Sequence, residues 1–358
     1  MKTNAIHNIK ITGVSVALPT RKIPVTDYES AFGKETVKKF IETTGVKSVS
    51  RAIPEQTASD LGFEAAKNIF EKRNVNKDEI GILLFVSQKP DFSAPASSYI
   101  IHNRLGLSKN CLCFDINLAC SGFIVALHSI HALLKNCNAK KALLITADTS
   151  HKTLSPHDRT MIMLFGDSGS ALILEKTEEE IEANFSIKSD GQRFKSIITP
   201  SGAYRNRNAP KERVAWSDGI LRSDYDTHMK GMDVFGFSIS DVPKLFKEFL
   251  NELDKTPDDY DYFILHQANH YILKQISRKI KIPMGKIPVS LDRFGNNSSN
   301  SIPLVLADHF SNINPKKLRL FISGFGAGLS WACGDIEVDS SGILPIVYTD
   351  RFQNLNII

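Results

Sequence analysis

Short apolar runs rich in β-branched residues alternate along the chain with stretches whose apolar residues recur every three or four positions. The runs predict buried strands, and the stretches predict helices with one apolar face. The predicted strands are Ile80–Val86, 142–146, 171–174, Tyr262–Leu265, 318–322 and 331–333. The predicted helices are Ala58–Arg73, 121–136, 242–254 and 271–280. This strand–helix alternation predicts an α/β fold with mostly parallel sheets.

The order of these segments occurs twice. An acidic turn leads into Ile80–Val86 and again into Tyr262–Leu265, while a lysine pair leads into 142–146 and again into 318–322. After each lysine-preceded strand come a segment of small residues and one more apolar strand. The repeat therefore predicts two similar α/β halves.

We place the boundaries of these halves at residues 1–177 and 178–335. Residues 336–358 form a C-terminal extension, and we expect its apolar part to pack on a pocket mouth or a dimer contact. The polar segment 191–226, rich in Arg, Asn and Ser, predicts an inserted loop with little periodic structure.

Composition excludes several classes of protein. The 358 residues allow two domains or one double unit, and 42 % hydrophobic with 23 % charged residues are ordinary globular values. A net charge of +5 is too mild to indicate nucleic-acid binding, but it suits a local patch that meets an acidic partner. Because the chain shows neither a signal-peptide pattern nor an apolar run near the ~20 residues of a membrane helix, we expect a cytoplasmic protein without membrane insertion.

The cysteines predict thiols without a disulfide framework or a metal site. Their number, five, is odd, and the typical setting of such a chain is a reducing cytoplasm. Cys111 and Cys113 flank a single residue, and the zinc spacing Cys-x-x-Cys does not occur.

Cys120 is the first candidate for chemistry, because a strand-like run precedes it and a helical pattern follows it. At a strand-to-helix junction, backbone N–H groups and the helix dipole favour an anion, so we expect a stabilised, reactive thiolate. Seen alone, however, a cysteine is more often a small buried thiol.

His266 and Asn296 are the next candidates. His266 directly follows a predicted strand, where functional side chains emerge in α/β folds, although a hydrogen-bonded core histidine is commoner. His266 and His270 share the spacing of a metalloprotease helix, but Gln267 replaces the required Glu and excludes that motif. Asn296 lies in a polar loop, where asparagine usually serves only turns and caps.

Two glycine-containing segments complete the candidates. Residues 324–328, Gly-Phe-Gly-Ala-Gly, follow a strand and would bring backbone N–H donors close to a substrate. The segment around Ser168 looks like a serine-hydrolase turn, but Ser170 stands where that turn needs glycine. We interpret it as a tight turn into the strand 171–174.

Together these segments resemble the β-ketoacyl-acyl-carrier-protein synthase III family of the thiolase superfamily. The resemblance covers roughly residues 8–335 and implies a thiolase-like, duplicated five-layered α-β-α-β-α fold. The motifs that carry it, in the family's order, are Ala-Cys-Ser-Gly-Phe at 119–123, His-Gln-Ala-Asn at 266–269, Gly-Asn-Asn-Ser at 295–298 and Gly-Phe-Gly-Ala-Gly at 324–328.

The resemblance implies a role for each matching residue. Cys120 would be the nucleophile that accepts an acyl group, and His266 and Asn296 would hydrogen-bond the malonyl thioester carbonyl while carbon dioxide leaves. The oxyanion hole would combine the backbone N–H of Cys120 with one from Gly326 or Ala327. The substrates would be acyl-CoA or acyl-carrier thioesters, with no metal or redox cofactor.

Substrate contacts are also implied, at Arg159, Asn269 and Ala94. Family members usually have a Phe at the place of Ala94, in the loop that reaches the partner subunit's acyl pocket of a homodimer. A small residue leaves room there, so we expect an acyl group larger than acetyl.

Other positions depart from the family. Lys39 and Thr43 replace the Trp and Arg that usually hold coenzyme A adenine, and Tyr271 replaces a common Arg. These changes put ordinary acetyl-CoA use in question.

A partner is implied by charge. Acyl carrier protein is acidic, and Lys274, Arg278 and Lys279 lie within about a turn of one another on the predicted helix 271–280. We expect this face to dock the carrier, although basic residues on a helix are equally often just solvated.

Two other functions remain open. An acyltransferase could pass the acyl group from Cys120 to a hydroxyl or amine acceptor without decarboxylation. A non-catalytic partner subunit is disfavoured, because such subunits commonly lose the cysteine.

Overall fold

The computed structural model of the protein describes residues 5–355. The strands are β1 (Ile6–His7), β2 (Ile9–Leu18), β3 (Lys22–Pro24), β4 (Ser48–Ser50), β5 (Ile80–Val86), β6 (Leu112–Ile116), β7 (Lys141–Asp148), β8 (Ser168–Lys176), β9 (Glu182–Ser189), β10 (Ile197–Ile198), β11 (Val214–Ala215), β12 (Leu221–Arg222), β13 (His228–Met229), β14 (Tyr262–Leu265), β15 (Lys317–Gly326), β16 (Ser330–Asp339) and β17 (Val347–Tyr348). The α-helices are α1 (Glu29–Phe32), α2 (Lys34–Thr44), α3 (Ala58–Arg73), α4 (Ser97–Leu105), α5 (Gly122–Lys135), α6 (Gly231–Glu252), α7 (His270–Ile280), α8 (Leu291–Phe294) and α9 (Ser301–Phe310).

The two halves repeat one strand arrangement. In the first half β5 pairs parallel with β7, β7 pairs antiparallel with β8, and β8 pairs antiparallel with β2. In the second half β14, β15, β16 and β9 follow the same sequence of parallel, antiparallel and antiparallel pairs. The predicted duplication is thus visible in the pairing of the strands.

The halves join where Val338 of β16 pairs with Ile11 of β2, so the strands form one continuous sheet. Antiparallel pairs supply its longest ladders, so the prediction of mostly parallel sheets is wrong. Predicted strands already pair antiparallel as β7 with β8 and β15 with β16, the latter across a short turn that permits only this direction. Strands β2 and β9, which were not predicted from the sequence, add two more antiparallel ladders.

The helices form layers around these strands, in agreement with the five-layered fold. The apolar helices α5 and α9 contribute to a core cluster with strands of both halves. Helices α3 and α4 pack on the first half, and α6 and α7 pack on the second. Because α5 and α9 are covered on nearly all sides, they are apolar around most of their circumference.

Two segments extend beyond their predicted limits. Helix α6 begins at Gly231, eleven residues before the predicted start at 242, and Pro243 lies inside it. Because a Pro often stands at the first position of a helix, Pro243 caused the predicted start to be placed too far along the chain. Strand β16 continues to Asp339, past the predicted boundary at residue 335.

Residues 343–351 of the C-terminal extension pack on the first half. Strand β17 pairs parallel with the end of β2, and the Gln56 side chain donates to the carbonyls of Thr349 (3.0 Å) and Arg351 (3.1 Å). No helix within residues 5–355 has the length and apolar character needed to cross a membrane.

Candidate active site

Cys120 lies between β6 and α5, two residues before the first residue of the helix. Glycines of β15 pass directly against it. A Cβ on Gly324 would stand 2.3 Å from the Cys120 carbonyl oxygen, and a Cβ on Gly326 would stand 3.1 Å from the Cys120 Sγ. These glycines therefore allow the second half of the molecule to approach the thiol. Cys120 is partly exposed, so a substrate can reach it.

The surroundings of the thiol keep it protonated. The pKa of Cys120 is raised to about 12, chiefly by burial and also by the negative charge of Asp148, whereas a hydrogen bond with Ser298 acts in the opposite direction. The prediction of a stabilised thiolate is therefore wrong for the free site, because burial and the charge of Asp148 outweigh the hydrogen bonds that favour the anion. Cys120 carries its proton until a reaction removes it.

His266 follows directly on β14 and is 2 % exposed. Its backbone N–H donates to the Ser323 carbonyl at 2.8 Å. The ring stands edge-on to Phe325, with centroids 5.3 Å apart, and its Nδ1 lies 3.1 Å from the Ser301 Oγ. Burial lowers the pKa of His266 to about 3, although a hydrogen bond with the Ser298 backbone acts to raise it. The imidazole is neutral near pH 7 and offers one donor and one acceptor nitrogen.

Asn296 lies in the loop between α8 and α9, held by main-chain contacts to the segment before β8. Its N–H donates to the Leu164 carbonyl at 2.8 Å, and its carbonyl accepts from the Gly166 N–H at 2.9 Å. The side-chain Oδ1 accepts from the Ser298 N–H at 2.9 Å. Because the oxygen is engaged in this way, Nδ2 is the side of the amide oriented to donate to a substrate carbonyl.

Ser298 brings the three candidate residues together. Its side chain hydrogen-bonds Cys120, and its backbone hydrogen-bonds the His266 ring and the Asn296 side chain. Its φ of 50° lies in the left-handed region, a strained conformation that often marks a functional site in residues other than glycine. Ser298 was assigned no role from the sequence, although it ends the motif at 295–298.

The predicted oxyanion segment also reaches the thiol. Strand β15 ends at Gly326, and Ala327 begins the turn to β16. The Ser330 hydroxyl donates to the Ala327 carbonyl at 3.2 Å and holds this turn. The backbone of Gly326 therefore lies beside Cys120, and Ala327 directly follows it; their part in an oxyanion hole stays a prediction.

A buried acid completes the surroundings of Cys120. Asp148 ends β7, and its Oδ1 accepts from the Ser87 Oγ and the Gln88 N–H, each at 3.1 Å. Burial raises the pKa of Asp148 and lowers that of nearby Lys89, while the opposite charge of each partner counters both shifts. Neither residue was predicted, although an acid that ends an apolar strand could have drawn attention to Asp148.

Comparison with known proteins agrees with this geometry. Residues 114–191 match the family model 3-Oxoacyl-[acyl-carrier-protein (ACP)] synthase III, and residues 250–338 match the C-terminal model of that family. A putative 3-oxoacyl-[acyl-carrier-protein] synthase 3 of Campylobacter jejuni is 32 % identical over 340 residues, which cover 92 % of this chain and 94 % of that protein. The chain belongs to the 3-oxoacyl-[acyl-carrier-protein] synthase III family. It is therefore a condensing enzyme of the acyltransferase class with a thiolase-like fold.

Other relatives agree with this assignment. A β-ketoacyl-[acyl-carrier-protein] synthase III of Clostridium perfringens is 31 % identical, over 93 % of this chain and 100 % of that protein. The crystal structure of a 3-oxoacyl-(acyl-carrier protein) synthase from Burkholderia xenovorans aligns with a TM-score of 0.90 at 31 % identity, over 97 % of this chain and 98 % of that one. Nearly the whole chain is thus similar to synthase III proteins in both sequence and fold.

The remaining substrate residues predicted for this synthase III protein lie outside the cluster around Ser298. Arg159 and Ala94 are exposed in turns. The Asn269 side chain accepts from the Ile272 N–H at 2.7 Å and caps α7. Asn269 thus has a structural role that the sequence analysis did not assign, and its substrate contact stays a prediction.

The predicted carrier-binding residues share the exposed side of α7. Lys274, Arg278 and Lys279 are exposed, while the apolar residues of the helix are buried against the second half. Tyr271, at the place of the family's usual Arg, is 47 % exposed and stacks on Phe235 with centroids 5.6 Å apart. An aromatic pair therefore adjoins the basic face.

The polar insert 191–226 is more ordered than predicted. It contains a 3₁₀-helix, Gly191–Ser196, and the small antiparallel pair of β11 and β12. Arg222 is 1 % exposed, and its Nε donates to Asp158 at 2.7 Å, next to the exposed Arg159. A buried ion pair thus ties the insert to the Arg159 turn.

Proposed function

We propose that this protein catalyses a decarboxylating Claisen condensation between an acyl group carried on Cys120 and a malonyl thioester of acyl carrier protein. The observation that carries the proposal is the convergence of Cys120, His266 and Asn296 on Ser298. A nucleophile and two hydrogen-bond donors for a carbonyl are the groups that this reaction requires.

In the first step Cys120 takes the acyl group from a donor thioester. Its Sγ forms a bond to the carbonyl carbon, the donor's C–S bond breaks, and the thiol proton leaves with the donor thiol. The N–H groups of Cys120 and of the segment at Gly326 and Ala327 would stabilise the tetrahedral oxyanion.

In the second step the malonyl carboxylate leaves as carbon dioxide, and its bonding electrons form an enolate. His266 and the Asn296 Nδ2 would donate to the enolate oxygen as its charge develops. A neutral His266 suits this role, since an imidazolium would also stabilise the carboxylate that must depart. The enolate carbon attacks the acyl group, the bond to Cys120 breaks, and the sulfur regains a proton.

The acyl group is proposed to be larger than acetyl. Support comes from Ala94, a small residue at the position where the family usually places a Phe. An acyl-loading assay that shows a strong preference for acetyl-CoA over longer chains would refute this part alone.

The proposed partners are acyl carrier protein and a second copy of the chain. The exposed Lys274, Arg278 and Lys279 support the first, because the carrier is acidic. Strand β6 supports a second copy of the chain as partner. Within residues 5–355 it pairs only with β5, so its other edge is open, and its residue Leu112 is 52 % exposed. An open strand edge is a surface on which another strand can pair.

The proposal is tested by intact mass spectrometry after exposure of the protein to a panel of acyl-CoA and acyl-carrier thioesters. We expect one acyl adduct per chain, absent in Cys120→Ala and retained in Cys137→Ala, which removes a partly buried cysteine outside the site. Addition of malonyl carrier protein should then release carbon dioxide and yield a 3-oxoacyl thioester.

Two results would contradict the proposal in different ways. If no thioester adds mass at Cys120, covalent catalysis is wrong. If the loaded protein transfers its acyl group to a hydroxyl or amine acceptor without releasing carbon dioxide, the simple acyltransferase alternative is correct. The presence of Asn296 favours condensation, because simple transfer does not require an enolate donor.

A further inference from the structure

A second cluster of reactive side chains lies at the start of β6. It consists of His102, Cys111 and Cys113, each of which has a ligand atom within 4.8 Å of those of the other two. No other group of three or more His, Cys, Asp or Glu residues between positions 5 and 355 meets this criterion. The proposed condensation uses none of the three residues.

The fold brings these residues together from two elements. His102 lies in the last turn of α4, Cys111 precedes β6, and Cys113 is its second residue. The two sulfur atoms are close together, so both cysteine side chains lie on the same side of the chain at the start of β6. Cysteine spacing alone argued against a metal here, because the histidine that the fold adds is distant from Cys111 and Cys113 in that pattern.

The distances suit a tetrahedral metal. The sulfur atoms of Cys111 and Cys113 are 3.9 Å apart. Two thiolates bound to zinc at about 2.3 Å with a tetrahedral angle would be separated by about 3.8 Å. Little movement is therefore needed to bind an ion between the two sulfur atoms.

The histidine has the orientation of a metal ligand. Its Nε2 lies 3.0 Å from the Ser108 carbonyl, which also accepts from the Cys111 N–H at 3.1 Å. Since a carbonyl can only accept, Nε2 carries the proton and Nδ1 of His102 keeps its lone pair. A backbone carbonyl that orients the second ring nitrogen is the usual support of a zinc-bound histidine.

The cluster is open to metal entry from one side. Cys113 is buried, while Cys111 and His102 are partly exposed. An ion can therefore approach from the side of Cys111 and His102. We propose that Cys111, Cys113 and His102 bind a thiophilic divalent cation of the zinc class, with water as the fourth ligand.

The proposal is tested on the reduced full-length protein after treatment with a chelator. Zn²⁺ is titrated against a chromophoric chelator and counted by native mass spectrometry, and Co²⁺ is added to observe thiolate-to-metal charge-transfer absorption. We expect one ion per chain and a Co²⁺ band of the intensity of two thiolates. Cys111→Ser and His102→Gln should each weaken Zn²⁺ binding at least about tenfold, since each removes one of three ligands.

Matched variants distinguish this site from other thiols. Cys137→Ser removes a partly buried cysteine outside the cluster, and Cys120→Ala removes the proposed nucleophile; both should bind Zn²⁺ as the unchanged protein does. The buried Cys113→Ser is informative only if circular dichroism shows a folded chain, so the partly exposed Cys111 and His102 decide the result. Absence of stoichiometric binding, retention of binding in Cys111→Ser, or loss of binding in Cys120→Ala would overturn the proposal.

Discussion

The site around Cys120 and the exposed residues predicted to recognise substrate and carrier are built under different constraints. At the site, glycines of β15 touch the nucleophile, and Ser298 bonds to residues from three parts of the chain. At the surface, Arg159, Lys274 and Arg278 are exposed. The site around Cys120 keeps the motifs by which the chain resembles the family. At the surface, Tyr271 and Ala94 stand where the family usually has an Arg and a Phe.

This difference indicates which properties of the enzyme can vary. A substitution at the site changes how closely the two halves of the molecule pack at Cys120. The chemistry of the site is therefore tied to the fold. A change at the surface costs little stability, because the side chain already faces water. We therefore expect the reaction type to follow the family, while donor, chain length and carrier affinity are particular to this protein.

The largest expected effect is that of His266→Ala on condensation. Loss of one donor to the enolate should slow carbon dioxide release by about 10²- to 10³-fold in protein already loaded with an acyl group. His131→Ala is the matched control, because His131 is also buried and its pKa is also lowered by burial. Equal rates of carbon dioxide release per folded molecule in the two variants would contradict the role of His266.

Gly326→Ala should have the next largest effect. The new methyl group would stand 3.1 Å from both the Cβ and the Sγ of Cys120, so the thiol must shift, and we expect acyl loading to slow by at least about tenfold. Gly236→Ala in α6 meets nothing within 4 Å and should leave loading unchanged. Rates of acyl-adduct formation by mass spectrometry measure both, and normal loading in Gly326→Ala would show that the close approach is unimportant.

Asp148→Asn should shift a pH profile. The negative charge of Asp148 raises the pKa of Cys120, so its removal should lower that pKa and move the alkylation of Cys120 by iodoacetamide to lower pH. Asp335→Asn, a buried acid five residues beyond the start of β16, should leave the alkylation midpoint unchanged. A midpoint that stays in place or rises in Asp148→Asn would contradict the electrostatic assignment.

The smallest effect is expected at the surface. The double change Arg278→Glu and Lys279→Glu should raise the KM for malonyl carrier protein several-fold, more at low salt, while loading from small thioesters stays normal. Lys72→Glu with Lys77→Glu reverses two exposed charges of the first half as the control. If the two double variants change the KM for malonyl carrier protein by the same factor, α7 is not the docking face.

Much of the fold could be predicted because its signals are local. The strands of the repeat are continuous apolar runs, and the helices α3, α5 and α7 show clear periodicity. Strands β2 and β9 escaped because they contain polar positions, and Pro243 hid the first half of α6. The direction in which two strands pair is not specified by local patterns, so the antiparallel pairs of β7 with β8 and of β15 with β16 were missed as well.

The candidate site was predictable through its motifs and not through its energetics. Cys120, His266 and Asn296 stand at the ends of recognisable segments. Ser298 and Asp148 have roles only because distant strands bring them to Cys120. The pKa of the Cys120 thiol was predicted in the wrong direction. The sequence shows that a helix begins near Cys120, which favours the thiolate, but it does not show burial, which raises the pKa and depends on tertiary packing.

The most direct test of the central claim compares loading with decarboxylation in Asn296→Ala. The variant is loaded at Cys120 with an acyl thioester, the adduct is verified by intact mass, and malonyl carrier protein is added while carbon dioxide is measured. We predict normal loading and a loss of carbon dioxide release of about 10²- to 10³-fold, since one donor to the enolate is missing. Carbon dioxide release at the unchanged rate from the fully loaded variant would contradict the claim that the second half of the molecule performs the decarboxylation.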